Sequence, residues 1–245
     1  MGANVLAHYG FEDPGNLWVD GVGGHHGELV SGVAQSVAGP RGCGDALGVG
    51  VEMAGRVPDA PVFDLSEGSV DFWIRATDTD DTVPILSRDA QGAASEHLTI
   101  FLSSVTSSGG DPSGRHVVVR HQSEETAAAV CSEDPLPGGE WVHVAYNFGP
   151  PRMELFIDGV LQESDDVPSV PGGGIPACDG RTNDPELMGN PPPFVGGLES
   201  ELPWFIAGAA QNQGKANQAP SAFMAGGALD EVRISAVRRD FGAFR

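Results

Sequence analysis

The sequence predicts an all-β sandwich, on three observations. Short segments of alternating apolar and polar residues recur along the whole chain. Gly (35) and Pro (19) punctuate the 245 residues throughout instead of gathering in one tail, which is the chemistry of turns between many short strands. No segment reads as an amphipathic helix with proper caps, apart from a turn of helix expected near Val237–Phe241. Together these point to a sandwich or jelly roll. At this length and 40% hydrophobic content, the chain is expected to form it as a single domain over 1–245.

The elements follow in order. Val5–Phe11 reads as the first strand, then come the polar turn at 12–16 and a Gly/His loop at 23–27. Asp45–Met53 is the next strand. Within Ser69–Ala76, Val70, Phe72 and Ile74 alternate with Asp71, Trp73 and Arg75, so one face is apolar and the other mixed. Val83–Ser87, His97–Ser103 and Arg115–His121 have the same character, the last around Val117-Val118-Val119. Trp141–Phe148 alternates again. Met153, Leu155 and Ile157 repeat the pattern up to Asp158-Gly159, a pair suited to a type I′ hairpin because Gly takes positive φ without strain. Val160–Glu163 is the returning strand. A Gly/Pro-rich stretch at about 168–203 is too long for an ordinary connection and reads as an insertion. Strands resume at Trp204–Gly208 and Phe223–Ser235.

Asp and Glu number 34 against 13 Lys and Arg, for a formal net charge of −21, and Lys215 is the single lysine. So acidic a surface repels phosphate backbones, and no nucleic acid partner is expected. It attracts cations, and a solvated acidic coat, adaptation to salt and calcium sites all remain open as its cause. No stretch is long and apolar enough to span a membrane as a helix, and no signal peptide opens the chain. Cys43, Cys131 and Cys178 are odd in number, so at least one is unpaired. Cys131 and Cys178 both fall in loop-like sequence, where a bridge is allowed without being required. The spacings fit no zinc pattern.

The motifs also form an ordered set. Tyr9-x-Phe11-Glu12 is followed by Asp20-Gly21, a His/Gly loop ending at Gly27, and Gly44-Asp45-Ala46-Leu47. Next come Val70-Asp71-Phe72-Trp73-Ile74-Arg75, Trp141-Val142-His143-Val144-Ala145 and Leu155-Phe156-Ile157-Asp158-Gly159. Phe223-x-Ala225-Gly226 and Leu229-Asp230-Glu231-Val232-Arg233-Ile234 close the chain. Over nearly the whole length, this order resembles the laminin-G-like branch of the concanavalin A-like lectin/glucanase superfamily. The resemblance implies a concanavalin A-like jelly-roll sandwich of two antiparallel sheets, one convex and one concave, with the N- and C-terminal strands adjacent. It implies no single function, because the fold hosts lectins, adhesion modules, hydrolases and lyases. The stretch at 168–203 departs from the family, where the corresponding segment is short.

Two candidate sites follow. Calcium takes six to eight oxygens from carboxylates, carbonyls and water. Glu12, Asn16 and Asp20 offer such oxygens in one turn-rich stretch, and the resemblance implies a structural calcium where the terminal strands meet, carried here by Glu12, Asp20 and Asp230 with the Asn16 carbonyl. The alternative is that Glu12 and Asp20 shape turns and Asp230 is a hydrogen-bonded strand end. The second candidate is a ligand surface on the concave sheet. Asp71, Trp73 and Arg75 share one face of their strand, as do His116, Val118 and Arg120 of theirs. A Trp offers a flat apolar surface to sugar C–H groups, and Arg or Asp can bond hydroxyls. Alternatively, Trp73 packs beneath the insertion. His25-His26 reads as packing more readily than as a metal site, and His143 is expected beside Trp141.

The superfamily's glucanases carry two glutamates flanking an aspartate on one strand, and a retaining glycosidase needs such a close pair. No strand here has that pattern; Asp78–Asp81 and Glu124-Glu125 fall in loops. Nucleophile elbow, phosphate loop and dinucleotide fingerprint are absent from the sequence. The expected function is a non-catalytic recognition module for carbohydrate, extracellular or at the cell surface, with a structural calcium ion. The alternatives are a protein-binding adhesion or assembly module, and a glycoside hydrolase or polysaccharide lyase of the same fold.

Overall fold

The computed structural model describes residues 4–77, 82–89, 97–103, 114–122, 127–162, 196–210 and 219–242. Cys178, the acidic stretches 78–81 and 124–125, and most of the expected insertion lie outside the described residues. In order, the strands are β1 (Val5–Tyr9), β2 (Glu28–Ser31), β3 (Ala34–Ala38), β4 (Asp45–Val49), β5 (Ala54–Val57) and β6 (Gly68–Arg75). Next are β7 (Val83–Arg88), β8 (His97–Leu102), β9 (Val117–Gln122), β10 (Ala127–Cys131), β11 (Trp141–Phe148) and β12 (Glu154–Ile157). β13 (Val160–Leu161), β14 (Trp204–Ile206), β15 (Gly208–Ala209), β16 (Ala222–Phe223) and β17 (Ala228–Ser235) complete the series.

These strands form two large open antiparallel sheets, the layers of a jelly-roll sandwich, and a separate two-stranded sheet of β15 and β16. The first runs β13-β12-β11-β6-β17-β4-β3 with β1 also on β17, and the second runs β10-β9-β8-β7-β14-β5-β2. Period-2 alternation sends Val70, Phe72 and Ile74 of β6 and Val142, Val144, Tyr146 and Phe148 of β11 into the core. Leu98, Ile100 and Leu102 of β8 and Val117 and Val119 of β9 meet them from the second sheet. The terminal strands are adjacent as expected: β1 pairs with β17 from Val5↔Ser235 to Tyr9↔Val232.

Several strands depart from the sequence reading. Asp158 (φ 48°) and Gly159 (φ 76°) make the expected hairpin. The expected strand 204–208 breaks at Ala207 (φ 60°), and 223–235 breaks at Gly226 and Gly227, both at φ 94°. Residues 237–241 are irregular chain instead of a helical turn. β2, β3, β5 and β10 were not expected, being short and poor in alternation; β10 reads Ala127-Ala128-Ala129-Val130-Cys131. In β5, Gly55 is demanded by packing, since a Cβ there would stand 2.0 Å from the indole of Trp18.

Two buried ionic groups organise the connections. The Arg88 side chain, fully buried at the end of β7, donates to Leu202 O (3.0 Å) and to the carbonyls of Phe63, Leu198 and Ser200. It also reaches the carboxylates of Asp59 (2.8 Å) and Asp64 (3.2 Å). One guanidinium thus fastens segments 59–64 and 198–202 to the second sheet. Asp20, 5% exposed, does the same for the first long loop. Its Oδ1 accepts the N–H of His8 and Val22 (both 2.9 Å), and its Oδ2 those of Gly23 (2.9 Å) and His25 (2.8 Å). Burial pushes its pKa up, but the four donors outweigh burial and hold it below the usual carboxylate range.

Arg88→Ala leaves two carboxylates and several carbonyls without their donor, and should lower unfolding free energy by about 3–5 kcal/mol in urea titration. Asp20→Asn turns an NH2 toward two backbone N–H groups and should cost about 2–3 kcal/mol at pH 7. A depressed carboxylate contributes stability above its unfolded pKa and loses it as pH falls through the folded value. The gap between Asp20→Asn and the native chain should therefore close below about pH 4.

Candidate functional site

β17 is the seam of the first sheet. One edge pairs with β6; the other pairs with β4 at Ala228–Leu229 and with β1 at Val232–Ser235. Level with the gap between those two partners, the register against β6 shifts between Asp230 and Arg233, and Glu231 sits at φ 52°. Asp230 lies in this interval, 2% exposed, with Oδ1 accepting the Glu231 N–H at 2.8 Å. Burial pushes its pKa up to about 7, and the charges of Glu231 and Glu12 push the same way. Glu231 itself is held low, chiefly by its hydrogen bond from His8 Nε2 at 3.0 Å.

Glu12 Oε2 accepts the Asp45 N–H at 3.1 Å, so it reaches the start of β4. The turn at 39–44 closes against both carboxylates because two glycines allow it. A Cβ on Gly39 would lie 2.4 Å from Cys43 O, 3.1 Å from Asp230 Oδ2 and 3.4 Å from Gly44 O. On Gly44 (φ +69°) it would lie 2.2 Å from Glu12 Oε1. Among the described residues no arginine pairs with Glu12 or Asp230. Two carboxylates and two carbonyls thus converge without an arginine partner, which is donor chemistry that fits a calcium ion. The elevated pKa of Asp230 has the same origin: a buried acid short of positive charge.

The expected group of four does not hold together. Glu12 and Asp230 meet at the seam, whereas the Asp20 oxygens are taken up by four backbone N–H groups, three of the loop and that of His8 in β1. Asn16 shares with Glu12, His8 and Asp13 the wall of a cleft of about 290 Å³ beside the seam. Among the described residues no three His, Cys, Asp or Glu side chains gather as a metal site, so carbonyls and water would complete any cation's shell. His25 packs on Phe63 (5.1 Å between ring centroids) and His26 Nδ1 accepts the Asp20 N–H at 3.1 Å, so both serve the loop.

The expected ligand surface also divides. Asp71, Trp73 and Arg75 leave β6 on the outer face of the first sheet. Arg120 and Val118 leave β9 on the outer face of the second, with His116 just before that strand and Phe101 of β8. The two outer faces point away from each other, so the five residues form no single site; strand alternation was legible, but the assignment of β6 and β9 to different sheets was not. On the second face His116 is buried, its Nδ1 donating to Ser132 O at 2.8 Å, and the Arg120 guanidinium lies 4.3 Å from the Phe101 ring centroid. On the first face Asp71 is fully buried, its Oδ1 accepting from Arg233 Nε at 2.9 Å and from His143 Nε2 at 3.2 Å. Asp71 is therefore a support rather than a ligand contact.

Trp73 and Arg75 remain half-buried, and two residues join them that sequence alone did not assign. Trp141 pairs across from Arg75, whose guanidinium lies 5.2 Å from its ring centroid. Arg41, on the 39–44 turn, lies 5.8 Å from the Trp73 centroid. His143 packs against Trp73 (5.3 Å), its cross-strand partner, instead of Trp141. Phe241 covers His143 and Phe156 at 6.0 and 5.7 Å, so the C-terminal tail closes the other half of this face. Asp230 stands opposite Trp73 in the β17–β6 register, which makes the acidic seam and the Arg–Trp face one continuous surface. Cys43 is exposed and free, whereas Cys131 is disulfide-bonded.

No curated protein matches the chain in sequence. Domain 4 of AbnA, a GH43 extracellular arabinanase from Geobacillus stearothermophilus, superposes with a TM-score of 0.58 at 18% identity, over 98% of this chain and 98% of that one. The binding domain of Paraclostridial Mosquitocidal Protein 1 gives 0.59 at 12% identity, over 98% of this chain and 51% of the other. The binding domain of Botulinum Neurotoxin DC gives 0.56 at 12%, over 99% and 51%. At these identities the likeness establishes the fold. A laminin-G-type family model, described as the concanavalin A-like lectin/glucanases superfamily, matches residues 50–201, more than half of the sequence, and the chain belongs to that superfamily.

Proposed function

We propose that the protein is a non-catalytic carbohydrate-recognition module of extracellular setting, contacting its ligand on the outer face of the first sheet, with a calcium ion at the β17 seam. The observation that carries it is the pair of half-buried tryptophans, Trp73 and Trp141, standing with Arg41 and Arg75 on one sheet face. Large aromatics left partly open beside polar groups mark binding surfaces. Two structural neighbours support the same reading: AbnA domain 4 is in complex with arabinotriose, and the Botulinum Neurotoxin DC binding domain is in complex with SialylT. The AbnA arabinanase is itself extracellular.

Glu12 and Asp230 would hold the calcium through their carboxylates, with the Cys43 and Gly44 carbonyls beside them. Bound there, the ion supplies the missing counter-charge and ties the turn at 39–44 to the last strand.

Trp73→Ala and Trp141→Ala, each checked for folding by thermal melting, should weaken glycan binding by about tenfold or more; unchanged binding by both would overturn the assignment of the face. For calcium the sign of a second experiment is informative. A carboxylate raised to about 7 keeps its proton in the folded state, so metal-free protein should lose stability as pH rises from about 4 to 7. Asp230→Asn should then melt about 2–8 °C higher than the native chain at pH 8 in EDTA. Calcium should raise the melting temperature of the native chain and leave Asp230→Asn unmoved. No calcium response, together with no bound metal by elemental analysis, would remove the ion from the proposal.

A further inference from the structure

We propose that the outer face of the first sheet recognises a sugar bearing an anionic group, a carboxylate or a sulfate, held by the guanidinium groups of Arg41 and Arg75. This rests on the carbohydrate reading above and specifies its ligand class. Five arginines of this acidic chain pair with carboxylates: Arg56 with Glu28, Arg88 with Asp59, Arg152 and Arg238 with Glu154, and Arg233 with Asp71; Arg115 and Arg239 bond instead to the Leu136 carbonyl and the Ser235 hydroxyl. Among the described residues, Arg41 and Arg75 make no hydrogen bond or ion pair through their side chains. With 34 acids to 13 Lys and Arg, that is not for want of acids. The carboxylates on this face are buried or turned toward other groups. Asp71 takes Arg233 and His143, Asp158 Oδ1 accepts the His143 N–H at 2.9 Å, and Asp230 lies under the turn at 39–44.

Each guanidinium instead lies over an indole, 5.8 Å from the Trp73 centroid and 5.2 Å from that of Trp141. A guanidinium held over an indole keeps its N–H edge open. That edge is a planar fork suited to two-point contact with an oxyanion. Trp73 and Trp141 are diagonal neighbours across β6 and β11, a spacing of about 7–8 Å, so the guanidinium groups over them fall within reach of one short oligosaccharide. The net charge of −21 does not forbid this. At physiological salt its field is screened over about 8 Å, while contact with the fork is made at hydrogen-bond range.

The test is calorimetric titration with tetragalacturonate, its methyl ester, a sulfated chondroitin tetrasaccharide and neutral arabinotriose. Binding of the carboxylated or the sulfated probe, with neither the methyl ester nor arabinotriose bound, is expected; which of the two binds identifies the anion. Arg41→Gln/Arg75→Gln should lose about tenfold or more in affinity. The double Lys variant, which keeps charge without the flat fork, should recover only part of it, with melting temperatures confirming both folds. Equal binding of tetragalacturonate and its ester, or full affinity in the Gln variant, would overturn the anionic class while leaving carbohydrate recognition intact. Arabinotriose binding alone would do the same. If no probe binds and a broad glycan array is also blank, both readings fall together.

Discussion

The structure depends on how β17 divides its second edge. Where that edge passes from β4 to β1, the ladder on its other edge breaks: against β6 the register shifts between Asp230↔Trp73 and Arg233↔Asp71. The break is a bulge with Glu231 at positive φ, a conformation that a non-glycine residue adopts only when its surroundings hold it there. The surroundings are identifiable: Val232 and Ile234 in the core, Arg233 bound to the buried Asp71, and Glu231 bound to His8. The distortion brings Asp230 under the turn at 39–44 and beside Glu12. The acidic seam is thus a consequence of closing the first sheet with both chain ends, and the Arg–Trp face takes its position from the same strand through the Asp230↔Trp73 pairing.

Much of the fold was legible in the sequence, because period-2 alternation is written in the residues themselves. β6 and β11 stand within a residue of where alternation puts them, and the Asp158-Gly159 hairpin follows from turn chemistry. β2, β3, β5 and β10 were not legible, since alanine, glycine and serine carry little facial contrast and these strands owe their place to their neighbours. The tight approach of Trp18 to Gly55 is one such tertiary cause. The breaks at Ala207 and at Gly226-Gly227 belong to the same class, because residues that read as continuous strand change sheet there.

The candidate site was legible by residue type and not by grouping. Glu12 and Asp230 could be brought together only through the adjacency of the terminal strands, which the motif order supplied. Asp20 has the same composition-level signature as a cation ligand, yet its oxygens are spent on four backbone donors that only the loop conformation reveals. On the first sheet, Trp73 and Arg75 were visible as strand neighbours. Trp141 joins them through cross-strand register and Arg41 through a turn from a distant part of the sequence, neither of which alternation encodes.

At the margin of the first sheet, β3 has β4 as its partner among the described residues and exposes Gln35 and Ser36 without a charged residue in its length. An edge so bare would ordinarily invite a strand from another copy, and proteins commonly guard such edges with lysine or proline. Here the guard is collective. Copies each carrying −21 repel one another before their edges can meet, so the acidity acts as a colloidal property that no single residue provides. Its protection weakens as salt shortens the range of repulsion, which ties the solution behaviour of this margin to the ionic strength of its surroundings.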